Sequence, residues 1–342
     1  MKRIFLTYCL LLLAFAVVAQ QPSFQKNQKK YANEAVQTVK QFRKTSPLLL
    51  NEQRLQLLKT FETYSDPYSN APFRAYLAES DAGAEQLEHT VPILYSYREA
   101  FDKVLHEVKT VKVKKGTAKV WLLYNMGFVV KTPSGCFGID VDHRYAEALA
   151  PYLDFLCITH NHGDHANVKL MEAMTKAGKP VLSNFYKGDE KHLSKVPTTY
   201  SIGNFNIRTD FSDHLKNANL LKFVTTYRID CGADAGDFSI LHCGDSGFTP
   251  AQFTKVDGPV SLVVLRWGAP VENQIFGTGP GQIQTDYAVL SHLIELRHDP
   301  FPKGQASITQ TLKHLPNVHC KNTLIPFWGE MLTWKKGKLI KK

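Results

Sequence analysis

The hexapeptide His160-Asn161-His162-Gly163-Asp164-His165 constrains this chain more than any other stretch. It follows Phe155-Leu156-Cys157-Ile158-Thr159, a short apolar run of the kind that forms a buried strand. A strand ending at Thr159 delivers the hexapeptide at its carboxyl edge. Side chains alternate along extended chain, so His160 and His162 project to one side and can grip one metal ion. Gly163 is expected to permit a sharp turn, which lets Asp164 and His165 face a second ion or its water. Imidazole and carboxylate are the ligands that zinc and its divalent neighbours use. A polar loop that is rich in histidine by chance is the plainer alternative, but packing gives no reason for such a cluster.

Further ligands have to come from other strand ends. His214, in Phe211-Ser212-Asp213-His214, lies just past a predicted strand. It completes a three-histidine site with His160 and His162 and leaves a position open for water or substrate. Asp245 sits in Gly244-Asp245-Ser246-Gly247, directly after the apolar run Phe238 to Cys243. A carboxylate there can bridge two cations, whereas an aspartate in such a turn otherwise bonds backbone amides. Arg266, at the end of the run Ser261 to Arg266, is suited either to an anionic substrate or to a salt bridge.

The rest of the chain divides by pattern. Residues 1–19 read as a signal peptide: Lys2 and Arg3, then an apolar run to Val18, then the small exit residue Ala19. Residues 20–117 form a helical extension, with apolar residues at helical spacing from Leu55 to Phe61 and from Val91 to Val108, interrupted at Asp66-Pro67 and Ala71-Pro72. From 118 to 342 the period becomes that of strands. Val120–Tyr124, Phe128–Thr132 and Cys136–Val141 make a meander, and a short helix at Tyr145–Leu153 precedes the strand ending at Thr159. A helix at Asn167–Ala177 and a strand at Pro180–Leu182 follow. Later strands fall at Phe205–Phe211, Lys222–Ile229, Phe238–Cys243, Ser261–Arg266 and Thr323–Phe327, with helices at Asp286–Leu296 and Gly304–Lys313. Many strands with helices interspersed imply an α/β chain built as two mixed sheets between helices. No glycine-rich phosphate loop is present, so nucleotide binding finds no support.

Taken together, His160-x-His162-x-Asp164-His165, His214 and Gly244-Asp245 resemble the metallo-β-lactamase superfamily over roughly residues 118–334. The resemblance implies a four-layer αβ/βα sandwich, with one or two metal ions, usually zinc, at one edge of the sheets. Gly244-Asp245-Ser246-Gly247-Phe248, Arg297-His298-Asp299-Pro300 and Pro326-Phe327-Trp328-Gly329 are similar to the branch holding lactonases and the phospholipase D that releases N-acylethanolamines. That likeness implies His298 as a donor close to the reacting oxygen. In the branch, the last metal ligand is a histidine beside Trp-Gly, a position that falls on Phe327 here. Glu330, His319 or His298 are the candidates to replace it. The expectation is therefore one firmly held ion and a second with its last ligand open, zinc first and manganese or iron as alternatives.

A net charge of +10, about +8 without the leader, favours anionic substrates or a membrane surface. No basic-aromatic tract suggests nucleic acid. Five cysteines remain beyond the leader, widely spaced and in apolar runs, and are expected to be buried small hydrophobes. The expectation is an exported hydrolase that activates water on an ester, lactone or phosphodiester bond, with Asp164 moving the proton and a small-molecule or lipid-like substrate. A β-lactamase-type amide hydrolase and a binding protein that keeps the fold without chemistry are the alternatives.

Overall fold

The computed structural model describes residues 32–65, 68, 71–267, 275–297 and 307–340. The expected signal segment and His298 lie outside the described residues. Five helices open the described chain: α1 through 32–42, α2 Glu52–Ser65, α3 Ala71–Ala78, α4 Asp81–Thr90 and α5 Pro92–Thr110. Pro92 starts α5, where a missing N–H breaks no helical bond. Ile93, Tyr97, Phe101, Val104 and Val108 then fall on one buried face.

Among the described residues sixteen strands follow, with two further α-helices: β1 Thr117–Leu122, β2 Phe128–Thr132, β3 Gly135–Ile139, β4 Phe155–Cys157, α6 Val168–Lys176 and β5 Val181–Leu182. Next come β6 Thr199–Ile202, β7 Phe205–Ser212, β8 Val224–Asp230, β9 Ser239–His242, β10 Gly258–Pro259, β11 Leu262–Arg266, β12 Ile283–Gln284 and β13 Tyr287–Ser291. The chain closes with α7 Ile308–His314, β14 Asn322–Leu324, β15 Met331–Lys335 and β16 Lys338–Ile340. Fourteen of these strands make two seven-stranded sheets, ordered β16-β15-β1-β2-β3-β4-β5 and β14-β13-β11-β9-β8-β7-β6, and β10 pairs with β12. Each large sheet is part antiparallel and part parallel.

Alternation along each strand sorts the apolar residues into layers. Phe128 and Val130 of β2 face the other sheet and meet a core that includes Phe205, Ile207, Ile229, Ile240 and Val264. Val129, between them, faces outward into a layer with Phe101, Val104, Leu149, Leu170 and Met174. The outer face of the second sheet, including Val263, Leu265 and Leu290, packs in one cluster with the amino-terminal helices. The result is the helix–sheet–sheet–helix sandwich that the sequence implies. Stacked Phe137 and Phe155, 4.8 Å between ring centres, tie β3 to β4, a contact worth about 0.5–1.5 kcal/mol beyond its buried area. Four cysteines are buried and Cys320 is half-buried, all with free thiols.

One expected element is corrected. Asp286–Leu296 is not a helix: Tyr287–Ser291 is a strand paired in parallel with β11 and β14, and an irregular segment follows it. From Ala288 on the run is buried on both faces of the sheet, so Ala288, Val289 and Leu290 follow one another without a period-two signature.

Strand direction places the site. The carboxyl ends of β1, β4, β7, β9, β11 and β13 all meet one edge of the sandwich. His160, His162, Asp164, His165, His214, Asp245 and Arg266 each lie at or just past one of these ends.

Candidate metal centre

His160 and His162 come off the end of β4, and their rings are 4.5 Å apart. The ring of His214, which follows β7, lies 5.1 Å from His160 and 4.7 Å from His162. Ligand atoms of the three sit within 4.8 Å of one another, as a shared ion requires. Phe223 walls this cluster, with ring centres 5.5, 5.1 and 5.9 Å from those of His160, His162 and His214.

A second cluster lies deeper. Asp164, His165 and His292 also gather within 4.8 Å, and all three are buried. His292 was not anticipated. It follows β13 directly, with φ of 60°, and its Nε2 stands 3.2 Å from Asp164 Oδ2 and 3.4 Å from Asp245 Oδ2. The signal was present in the sequence: an apolar run and then histidine, as in Phe155–His160.

Asp245 lies between the clusters. Its Oδ2 is 3.4 Å from His214 Nε2, and its Oδ1 is 3.7 Å from His165 Nε2. The approach depends on Gly244, at φ of 51°, because a Cβ there would sit 2.8 Å from the side chain of Thr159. Only glycine lets the β9 turn lie this close to the base of the hexapeptide. Gly163, by contrast, is not in the left-handed region, and a Cβ there would meet only Arg297 Nη1 at 3.6 Å. The turn at His162–His165 is closed instead by amides of His165 and Ala166 donating to the His162 carbonyl. The expected role for Gly163 is thus corrected.

Supporting residues fix the ligands. Asp140 accepts from the amide and hydroxyl of Thr159 and lies 2.8 Å from His165 Nδ1, which turns His165 Nε2 toward Asp164. A carboxylate behind a histidine orients the ring and raises its basicity as a ligand. Asn125, in the β1–β2 turn, donates to Asp164 Oδ2 at 2.8 Å. Its carbonyl accepts from Ser291 Oγ and the His292 amide.

The residues proposed to replace the last histidine are placed elsewhere. Phe327 stacks on Phe61 and Phe42, with ring centres at 4.1 and 5.2 Å. Both carboxylate oxygens of Glu330 are taken by the buried Arg54 guanidinium, and one also accepts from the Phe327 amide. His319 lines a groove with Ser239, Ser261 and Tyr287, at the opposite ends of β9, β11 and β13. His292, and none of those residues, lies beside Asp164 and Asp245.

Charge separates the two clusters. Burial, and then the neighbouring His165, push His160 well below the usual histidine range; burial and His214 lower His162. Both present neutral imidazoles, the form that binds metal. In the deeper cluster, burial opposes charge, but His165 and His292 hold Asp164 well below the usual carboxylate range. Burial likewise disfavours the Asp245 carboxylate, and His292 with His165 outweighs it. Burial disfavours protonated His292 too, yet Asp245 and Asp164 raise it to about 9.

Several buried atoms here have no hydrogen-bond partner: Asp164 Oδ1, His165 Nε2, His214 Nε2, Asp245 Oδ1 and both ring nitrogens of His292. His165 Nε2, His214 Nε2 and His292 Nε2 still face carboxylate oxygens at 3.2, 3.4 and 3.2 Å, whereas a buried polar atom with no such neighbour costs about 1–3 kcal/mol. So many converging on one edge fit a cation that collects them, and the donor set suits zinc, manganese or iron alike.

No protein-family model matches the chain, and no curated protein matches it. Solved structures do. Igni18, a metallo hydrolase from the archaeon Ignicoccus hospitalis, is 15% identical at a TM-score of 0.41, over 64% of this chain and 99% of its own. YhfI from Bacillus subtilis, a metallo-β-lactamase fold protein, is 16% identical at 0.43, over 64% and 100%. CmlA, a diiron β-hydroxylase from Streptomyces venezuelae, is 14% identical at 0.42, over 66% and 55%. The structural neighbours include metallo-β-lactamase-fold metal-dependent hydrolases. At such identities the likeness is one of fold, and the chemistry rests on the residues described above.

Proposed function

We propose that this chain is an exported metal-dependent hydrolase, using zinc or a related divalent ion on an ester, lactone or phosphodiester bond. One observation carries the reading: His160, His162, Asp164, His165, His214, Asp245 and His292 converge with unmatched buried nitrogens and oxygens. His160, His162 and His214 would hold one ion, Asp164, His165 and His292 a second, and Asp245 would lie between them. When bound, such ions would lower the pKa of water toward about 7 and polarise the oxygen under attack.

The chain's own groups supply the rest. Asn125 fixes Asp164 Oδ2, leaving the partnerless Oδ1 to orient water and accept its proton. Asp164 is held ionised by His165 and His292 against its burial, the form that can accept a proton. Phe223 excludes water from one side and offers an apolar wall to a lipid-like or aromatic group.

The test is metal analysis of the mature protein after loading with zinc, manganese or ferrous iron, with hydrolysis of nitrophenyl ester, lactone and phosphodiester probes. At least one equivalent of metal and turnover of one probe class is the expected result. Less than about half an equivalent with no turnover would sink the reading.

A further inference from the structure

Arg266 is a buried cation that the proposed hydrolysis does not use. It ends β11 and is only 8% exposed. In the parallel register it stands beside Ser291, and paired residues of neighbouring strands project to the same face. Ser291 Oγ reaches across to the Asn125 carbonyl on the other sheet, so that face is the cleft holding the metal clusters. Arg266 Nε is buried without a hydrogen-bond partner. The carboxylate within reach of it among the described residues is Asp245, at 3.7 Å, longer than a hydrogen bond. The Trp267 ring lies over the guanidinium, 5.4 Å from Cζ to its centre.

Asp245 gives this arginine little reason to be there. Three imidazoles, those of His165, His214 and His292, already surround that carboxylate. With ions in place, the sum becomes positive: Asp140, Asp164 and Asp245 are outweighed by two divalent cations and one guanidinium. A buried guanidinium presents donors in a planar fork that fits two oxygens of one anionic group.

Building on the hydrolase reading, we propose that Arg266, covered by Trp267, is an anion-binding subsite. It would take the carboxylate or phosphate oxygens of a substrate whose scissile bond lies over the metal clusters. Substrates bearing such a group near that bond would be selected over neutral ones.

The test compares zinc-loaded parent, Arg266→Gln and Arg266→Lys by titration calorimetry with benzoate and phenyl phosphate, alongside metal content. Affinity for at least one probe should fall about tenfold to a hundredfold in Arg266→Gln, with metal content unchanged and partial recovery in Arg266→Lys. A loss with benzoate alone assigns the subsite to carboxylates, and one with phenyl phosphate alone to phosphates. Equal affinities for both probes at equal metal content overturn the subsite and leave the hydrolase reading standing. Metal lost together with anion affinity overturns it as well, making Arg266 a support for Asp245. A parent that takes up no metal removes the hydrolase reading beneath it. If Arg266→Gln fails to fold, Arg266→Lys alone decides, and parent-like affinity in that variant overturns the fork-based recognition.

Discussion

The two halves of the candidate centre are built from the same residue types by opposite means. The outer cluster uses imidazoles only, two of them lowered toward neutrality, with His162 half-buried under Phe223. The inner cluster is fully buried and sets carboxylate against imidazole, each holding the other charged. An ion entering the inner cluster would have to displace the proton that Asp245 and Asp164 hold on His292, a cost that the lowered His160 and His162 would not impose in the outer one. On the proposed reading, the chain would pair a readily loaded position with a conditional one.

Substitutions can break or sharpen that contrast. The largest effect is expected from Asp245→Asn, because Asp245 touches both clusters. Metal measured by plasma mass spectrometry should fall below about half an equivalent, with turnover lost. His162→Ala should remove only the outer ion: one equivalent fewer than the parent, and no hydrolysis. Should it strip both ions, the clusters are one unit and the contrast fails. His292→Ala is expected to keep about one equivalent and to lose roughly 10–100-fold in activity, and parent-like metal content would remove His292 from the centre. Phe327→His should leave metal content unchanged, since that ring stacks among Phe42, Phe61 and Trp328. Its cost should instead appear in urea denaturation, at about 1–3 kcal/mol for an unmatched buried polar group.

Legibility followed chain locality. The hexapeptide announces itself because its side chains are adjacent in sequence, and His214 and Asp245 could be added because each trails a recognisable strand. His292 trails one too, but β13 is buried on both faces and so resembles a helix segment in its apolar continuity. Asn125 left no signal at all. Its role depends on the β1–β2 turn lying against β13, a relation between distant segments that no local pattern encodes. The sandwich was legible because strand alternation is local. The strands Thr199–Ile202, Met331–Lys335 and Lys338–Ile340 were missed; the first alternates only between half-buried and exposed positions, and the last two flank a lysine-rich turn.

The Arg54–Glu330 pair bears on how this molecule can be divided. Arg54 is fully buried, grips Glu330 and the Ile325 carbonyl, and comes from the helices that precede the sandwich. Lys103 caps the Gly329 carbonyl from the same side. Residue 117 thus marks a change of secondary structure and not a seam. A fragment cut there would strand a carboxylate and bare the Phe327–Trp328 face to solvent. The buried face that Phe327 and Trp328 present is thus closed by the helices that come before the sandwich in the chain.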